Sequence, residues 1–263
     1  GRALLETAQA NGVEGRRVLV RRDVTSGVGH VTLEVTEHTA QNRIVVIPGA
    51  NRTLTVEEVS WIQQEIATYD MVLLQLEIPL EVNRAVARWA RDAGVPVMLN
   101  PAPATDLDDE LLSLVTYLTP NEQEAAMETG LPLNMENGVI CPEDLARIAA
   151  ALRDKGVEHV IITLGSNGSA VVEADGIRRI PCVKMSHVAD PTAAGDSFVG
   201  ALSVGLTIGL SLENALAFAS HTAAITVSRM GAMPSLPALE EVEALHKERG
   251  FQGFALSVLD VLR

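Results

Sequence analysis

Apolar positions recur along this chain with two periods, one near 3.6 and one of 2, and the order in which they alternate outlines a fold. Leu4, Leu5 and Ala8 fall at helical spacing and the pattern stops at Asn11-Gly12, as a helix does at its C-cap. Strand-like runs follow with no helix between them: Val18 to Arg21, Val28 to Val35 with Val31, Leu33 and Val35 alternating, and Ile44 to Ile47. Thr25-Ser26-Gly27 and Gln41-Asn42 read as the separating turns, so the spacing predicts a small antiparallel patch. From Thr55 onward strands and helices alternate. Thr55 and Glu58 have the spacing of a capping box, and the helix they open is predicted to run to about Thr68.

Mostly apolar strands are predicted at Met71 to Leu76, Val95 to Asn100, Tyr117 to Thr119 and Val160 to Leu164. Between them helices are predicted at about Leu80 to Ala93, stopped by Gly94, at Asp108 to Leu114, at Asn121 to Thr129, capped by Gly130, and from Pro142 to Lys155-Gly156. Ser169 to Glu173 and Ile177 to Pro181 suggest a hairpin across Asp175-Gly176. Long helical patterns at Gly195 to Leu210 and Ser211 to Ser228, and a last one at about Leu239 to Arg249, complete the chain. This alternation, with apolar strands, predicts an α/β fold: a mainly parallel sheet flanked by helices on both faces. Ligands bind such folds beyond the carboxyl ends of the strands. No repeat, low-complexity segment or linker stands out, so residues 1–263 read as a single α/β domain.

Composition narrows the class. Hydrophobic residues make up 47% and charged residues 21%, ample for a core, while aromatics at 3% leave Ala, Val, Leu and Ile to fill it. The formal charge of −14, from 34 acids against 20 bases, argues against a general nucleic-acid or anionic-membrane binder. The two cysteines, Cys141 and Cys182, form no C-x-x-C and fit a reducing compartment. The most apolar stretch, Phe198 to Leu212, is too short to span a bilayer and is closed by Glu213. The expectation is a soluble, cytoplasmic protein without a membrane partner. Its first residues begin inside or at the edge of a helix with no Met, so upstream sequence is expected to be missing.

Candidate chemistry lies just after strands or at helix starts. In Asp190-Pro191-Thr192-Ala193-Ala194-Gly195-Asp196-Ser197-Phe198 small residues lead into a helix, whose first N–H groups make an anion site. Asp196 in that turn either accepts a proton from an attacking hydroxyl or merely stabilises the turn. In Thr119-Pro120-Asn121-Glu122-Gln123-Glu124, Asn121 and Glu124 share a helix face. An amide oxygen and a carboxylate suit Mg²⁺, although an N-cap with first-turn acids has the same form. Thr163-Leu164-Gly165-Ser166-Asn167-Gly168-Ser169 ends a strand in a turn that lets backbone approach a ligand, or is a plain hairpin turn. Ser228 to Ser235 offers oxygens to a hard cation, or is a C-cap. With Lys only at 155, 184 and 247 there is no Walker A loop, and no G-x-G-x-x-G, H-E-x-x-H or G-x-S-x-G occurs at a suitable place.

In order, Pro48-Gly49-Ala50-Asn51, Leu74 to Leu80, Leu99-Asn100-Pro101-Ala102-Pro103-Ala104, Thr119-Pro120-Asn121-Glu122, Ile162 to Ser166, residues 190–198 and Gly231 to Pro237 resemble the ribokinase (PfkB-type) family of sugar kinases. The resemblance covers about residues 18–237, and Ala193-Ala194-Gly195-Asp196 is its most diagnostic part. It implies an ATP-dependent kinase acting on the 5-hydroxyl of D-ribose, with Asp196 as catalytic base and Ala193, Ala194, Gly195 and Asp196 backbone forming an anion hole. Asn121 and Glu124 would organise Mg²⁺ and the ATP phosphates, and Thr163, Gly165, Ser166 and Gly168 would line the nucleotide site with Ser220 near adenine. Glu77 would contact the sugar. Asp190, Thr192, Thr226, Arg229, Gly231 and Ser235 would hold an activating K⁺, several through backbone carbonyls. Residues 18–48 would form a β lid that also makes a homodimer.

Two departures accompany the resemblance. The family's upstream strand with a sugar-binding Asp and its G-G-K-G-A-N segment are absent, and Pro191 replaces the usual Thr, keeping its carbonyl but losing an N–H. The first departure keeps alternatives open: a kinase for another sugar or a nucleoside, or a non-catalytic remnant that binds nucleotide only. The apolar tail Phe251 to Leu262 is expected to serve packing or oligomer contact.

Overall fold

A computed structural model describes residues 1–35, 40–136, 139–173, 176–250 and 253–263. Helix α1 (Arg2–Ala10) ends at Asn11, whose N–H turns back onto the carbonyls of the last turn, and it buries none of its residues. Strands β1 (Val28–Val35) and β2 (Ala40–Ile47) pair antiparallel, Val28 opposite Ile47 and Leu33 opposite Asn42. This corrects two expectations. Val18 to Arg21 has no ladder partner and forms no strand. Side chains fix the segment instead: Arg17 lies 4.2 Å over the Trp61 ring and bonds Glu65, and Arg21 bonds Glu58 and the Thr53 carbonyl. Gln41 and Asn42 are no turn but lie within β2, because the ladder continues through them. At the base of this ribbon Gly49 has φ +53, and a Cβ there would meet the Thr25 carbonyl at 2.4 Å, so only glycine lets the two segments cross.

The Thr55–Glu58 capping box forms as read, with Glu58 N–H donating to Thr55 Oγ1 and Thr55 N–H donating to Glu58. The predicted single helix is broken, however, into α2 (Val56–Val59), α3 (Ile62–Glu65) and a 3₁₀ turn. Then come β3 (Val72–Gln75), α4 (Leu80–Asp92), β4 (Val97–Asn100), α5 (Asp109–Ser113), β5 (Tyr117–Leu118) and α6 (Glu122–Thr129). A two-strand element with no strong period in the sequence, β6 (Met135–Glu136) with β7 (Val139–Ile140), precedes α7 (Pro142–Asp154). Strand β8 (His159–Thr163) is followed by β9 (Ser169–Glu173) and β10 (Gly176–Ile180), paired antiparallel as expected; Asp175 of the predicted turn lies outside the described residues. Helices α8 (Ala194–Thr207), α9 (Leu212–Val227) and α10 (Leu239–Glu248) complete the chain before a 3₁₀ segment at Leu256–Leu262.

The six-stranded sheet has the order β10-β9-β8-β5-β4-β3, with β3, β4, β5 and β8 parallel. Its two faces carry separate cores. Leu74, Leu99, Leu118, Val160 and Ile162 pack with α4, α5 and α7 through Val86, Leu112, Ile148 and Leu152. Met98, Ile161 and Val171 point the other way and pack with Phe198 and Leu202 of α8, Leu216 and Ala219 of α9 and Val242 and Leu245 of α10. Full burial of each large aliphatic stabilises by about 1.5–3 kcal/mol, which is what seats both helical layers. The tail joins this second layer. Leu259 is buried, the Phe254 ring meets His246 edge-on at 5.5 Å, and Arg263 bonds both oxygens of Glu243 at 2.8 Å. The tail thus packs against the domain; Phe251 itself lies outside the described residues. No helix among the described residues is long and apolar enough to cross a membrane.

Candidate active site

The parallel strands bring their carboxyl ends into one row. Gln75 pairs with Asn100, Leu99 with Leu118, Leu118 with Val160, and Asn121 bridges Thr163. Glu77, the 100–103 turn, Asn121 and Thr163 therefore stand side by side along one edge of the sheet. Leu76 N–H donates to the Ala102 carbonyl at 2.9 Å and ties the Glu77 turn to that row. Helix α8 points its amino end the same way. Its last residues, Leu206 and Thr207, line a cavity with Met71, Pro96, Tyr117 and His159, which precede or open the strands. At about 1.5 Å per residue the other end of α8 lies roughly 20 Å away, at the carboxyl end of the sheet.

That amino end is built to leave donors free. Ala193 is the N-cap in the left-handed region, φ 62, and no side chain caps the helix. A non-glycine residue in this conformation costs on the order of 1 kcal/mol. Ala194 N–H turns to the Pro191 carbonyl at 3.2 Å and Ser197 N–H to the Ala193 carbonyl at 2.9 Å. The N–H groups of Gly195 and Asp196 have no such partner among the described residues, and both residues are exposed. The Asp196 carboxylate thus shares an open turn with uncommitted donors and the positive end of the helix dipole.

At the end of β5, Asn121 and Glu124 form a complete capping box. Asn121 Oδ1 accepts from the N–H groups of Gln123 and Glu124 at 2.8 and 2.9 Å, and Glu124 Oε2 accepts from Asn121 N–H at 2.8 Å. Burial pushes the Glu124 carboxyl up, the Asn121 N–H pulls it down, and Glu122 adds to the rise; the net shift is upward. A carboxylate held above its ordinary range, with Oε1 uncommitted among the described residues, fits a cation that would favour its ionised form. Next to it Thr163 N–H donates to the Pro120 carbonyl at 2.9 Å. The following turn, Gly165 to Asn167, folds back so that Leu164 N–H reaches the Gly168 carbonyl at 2.8 Å. Gly168 has φ +85, and a Cβ there would sit 2.0 Å from the Ile180 carbonyl, so glycine is required by both torsion and space.

Asp190 knits two loops together. Its carboxylate accepts from Thr192 N–H and Gly231 N–H, each at 2.9 Å, while Ala189 and Asp190 N–H both donate to the Val227 carbonyl. Burial would raise its pKa, but these hydrogen bonds outweigh it and the carboxyl is held below its usual range. Thr226 and Ser235 are fully buried with their hydroxyls donating to Thr222 and Ala232 carbonyls, which leaves backbone oxygens as the groups to face a cation. The Arg229 guanidinium turns outward to Glu241. Ser220 stands apart, buried within α9 about two turns before Val227. Sequence reasoning missed Asn42: its Nδ2 donates to Thr192 Oγ1 at 3.2 Å, from β2 to the loop ahead of α8. Its neighbour Gln41 and its own turn preference hid it.

A mainly parallel sheet with its loops gathered at one end and a β ribbon attached beside them is the ribokinase-like architecture of ATP-dependent sugar kinases. Residues 1–239 match the model of the pfkB family carbohydrate kinases, and the chain belongs to that family. It is 36% identical over 244 residues to a ribokinase of Schizosaccharomyces pombe, covering 92% of this chain and 74% of that one. Among solved structures, a Thermotoga maritima ribokinase superposes with TM-score 0.76 at 34% identity, over 94% of this chain and 77% of the other. An Arabidopsis thaliana ribokinase complexed with ribose and ATP superposes with TM-score 0.71 at 32% identity, over 83% and 69%.

Proposed function

We propose that this sugar kinase transfers the terminal phosphoryl group of ATP to the 5-hydroxyl of D-ribose, with Asp196 as the base. The observation that carries the reading is the open turn at the head of α8, where an exposed carboxylate sits among uncommitted N–H groups. In the proposed step the Asp196 carboxylate takes the hydroxyl proton as the sugar oxygen bonds to phosphorus. The bond from phosphorus to the bridging oxygen breaks, and its electron pair leaves with ADP. Gly195 and Asp196 N–H groups, with that of Ala193 ahead of them, face the charge on the phosphoryl oxygens, while Ala194 contributes its backbone to the same turn with its N–H on the Pro191 carbonyl. The choice of ribose draws on relatives named as ribokinases and on a neighbour solved with ribose and ATP.

In this reading Thr163, Gly165, Ser166 and Gly168 bind the nucleotide with Ser220 behind them, and Glu77 binds the sugar. Asn121 and Glu124 would organise Mg²⁺ and the ATP phosphates, Asn121 by holding the turn and Glu124 through its uncommitted Oε1, and Asp190, Thr192, Thr226, Arg229, Gly231 and Ser235 would hold K⁺ largely through carbonyls. Such cations supply positive charge that offsets the charge developing on the phosphates. Residues 1–263 act as one domain and residues 18–48 act as a lid that keeps water from the phosphoryl group. The exposed apolar run of that ribbon, Ile44 to Ile47, favours a homodimer through it, and the setting is the cytoplasm. The test is ADP release coupled to ribose, with Mg²⁺ and K⁺ present. Asp196→Asn is expected to lower kcat by roughly a hundredfold or more. Wild-type turnover in that variant excludes the assigned role, and a clear preference for fructose or adenosine in a substrate panel overturns the choice of sugar.

A further inference from the structure

We infer that Asn42 is a positioning residue: through Thr192 it ties the β1–β2 ribbon to the turn that opens α8. This rests on the kinase reading above and adds a link between the ribbon and the phosphate turn. Asn42 lies within β2, opposite Leu33, and is half-buried. Its Nδ2 donates to Thr192 Oγ1 at 3.2 Å, across 150 residues of sequence. Thr192 is also held from its other side, where its N–H donates to Asp190 Oδ1 at 2.9 Å, and Asp190 is in turn fixed by Gly231 N–H.

Thr192 is thus held by the Asp190 carboxylate on one side and by the ribbon on the other. The residue after it, Ala193, is held at φ 62, and the N–H groups of Gly195 and Asp196 follow within one turn. An Ala in the left-handed region returns to ordinary torsions unless its neighbours hold it. Rotation about Thr192 would redirect those N–H groups. The Asp190 contacts are internal to the loops and persist wherever the ribbon sits. The Asn42 contact reaches the same turn from the ribbon. A ribbon engaged through Asn42 therefore sets the donors, and without that bond Thr192 is held by Asp190 alone. The chemistry that this couples is closure over a small polyol and the aim of donors toward a transferring phosphoryl group.

The test joins kinetics with amide hydrogen exchange on the whole chain. Asn42→Ala is expected to lower kcat for ribose roughly fivefold, the effect of one neutral hydrogen bond, with the KM for ribose moving less than about twofold. Asn42→Leu, of similar shape but with no hydrogen-bonding group, is expected to match Asn42→Ala, which packing alone would not produce. The double variant Asn42→Ala/Thr192→Val is expected to lose no more than Thr192→Val, because Thr192→Val already lacks the Asn42 bond. In the ligand-free chain, Ala194 and Ser197 amides are expected to exchange faster in Asn42→Ala while β8 amides do not change. Wild-type kcat and exchange in Asn42→Ala, or losses that multiply in the double variant, overturn the inference. Faster exchange in Asn42→Ala from a wild-type chain that releases no ADP with ribose keeps this link and overturns the kinase reading instead.

Discussion

Strand β2 carries Ile44, Val45, Val46 and Ile47 in a row, 49%, 66%, 46% and 62% exposed, while β8 carries Val160, Ile161 and Ile162, each 0% exposed. Both runs are β-branched and both have high strand propensity. The difference lies in their neighbours. Strand β8 pairs with β5 on one side and β9 on the other, and helices cover both of its faces. Among the described residues strand β2 pairs only with β1. A two-stranded ribbon buries little by itself and is marginally stable alone. The apolar run in β8 is core, and the same kind of run in β2 is surface.

The comparison can be broken most directly by truncating each strand. Ile161→Ala is expected to destabilise the chain by about 2–5 kcal/mol, because the cavity between the sheet and α8 cannot fully collapse. Ile44→Ala in β2 is expected to change stability by less than about 0.5 kcal/mol. Urea unfolding of both variants checks this, and equal costs would show that the ribbon is as buried as the sheet.

A second measurement sharpens the contrast with a polar group from the covered side. His246 is 1% exposed, stacks on His221 at 3.8 Å between ring centroids, and lies near Phe218 and Phe254. Burial and, to a lesser extent, the neighbouring His221 together lower its pKa to about 4, and burial lowers that of His221 too. The unfolded chain takes up protons below its ordinary value of about 6.5, whereas the folded chain resists until about 4. Stability from this group is therefore full above about pH 6.5 and is lost as the pH falls toward 4, by on the order of 3 kcal/mol. His246→Phe is expected to flatten the pH dependence of the unfolding midpoint across that window, and an unchanged slope would place the proton uptake elsewhere.

The smallest expected effect probes the ribbon's outer face. Val45→Ser should leave the unfolding free energy within about 0.5 kcal/mol, since the residue is already in water. It should weaken self-association if a second copy covers that face, as sedimentation at rising protein concentration would report. An unchanged association constant would remove Val45 from any such interface.

Much of this was readable from local pattern. The Thr55–Glu58 and Asn121–Glu124 boxes form as their spacing implied, because each hydrogen bond joins residues three apart and needs no partner from elsewhere. Gly130 ends α6 with φ 65 for the same local reason. Pro142 opens α7 where its missing N–H is harmless. The strand–helix alternation gave the parallel sheet, since apolar strands separated by helices have few other ways to be covered. The misreadings share a cause as well. Val18 to Arg21 looks like a strand by composition, but no neighbour supplies a ladder, and Arg17 and Arg21 anchor the segment to Trp61, Glu65 and Glu58 instead.

The residues of the candidate site were legible as separate turns. Local sequence dictated which helices are capped, where strands end and which turns hold glycine, because these depend on torsions and bonds within a few residues. Tertiary structure alone decided that Asn121 would stand beside Thr163, that Asp190 would join Gly231, and that Asn42 would reach Thr192. Those contacts span 41 to 150 residues. They form only after the sheet is assembled and its two layers packed, and no local period records them. The same holds for the exposure of Val45 and the burial of Ile161, two β-branched residues separated only by what the fold places next to them.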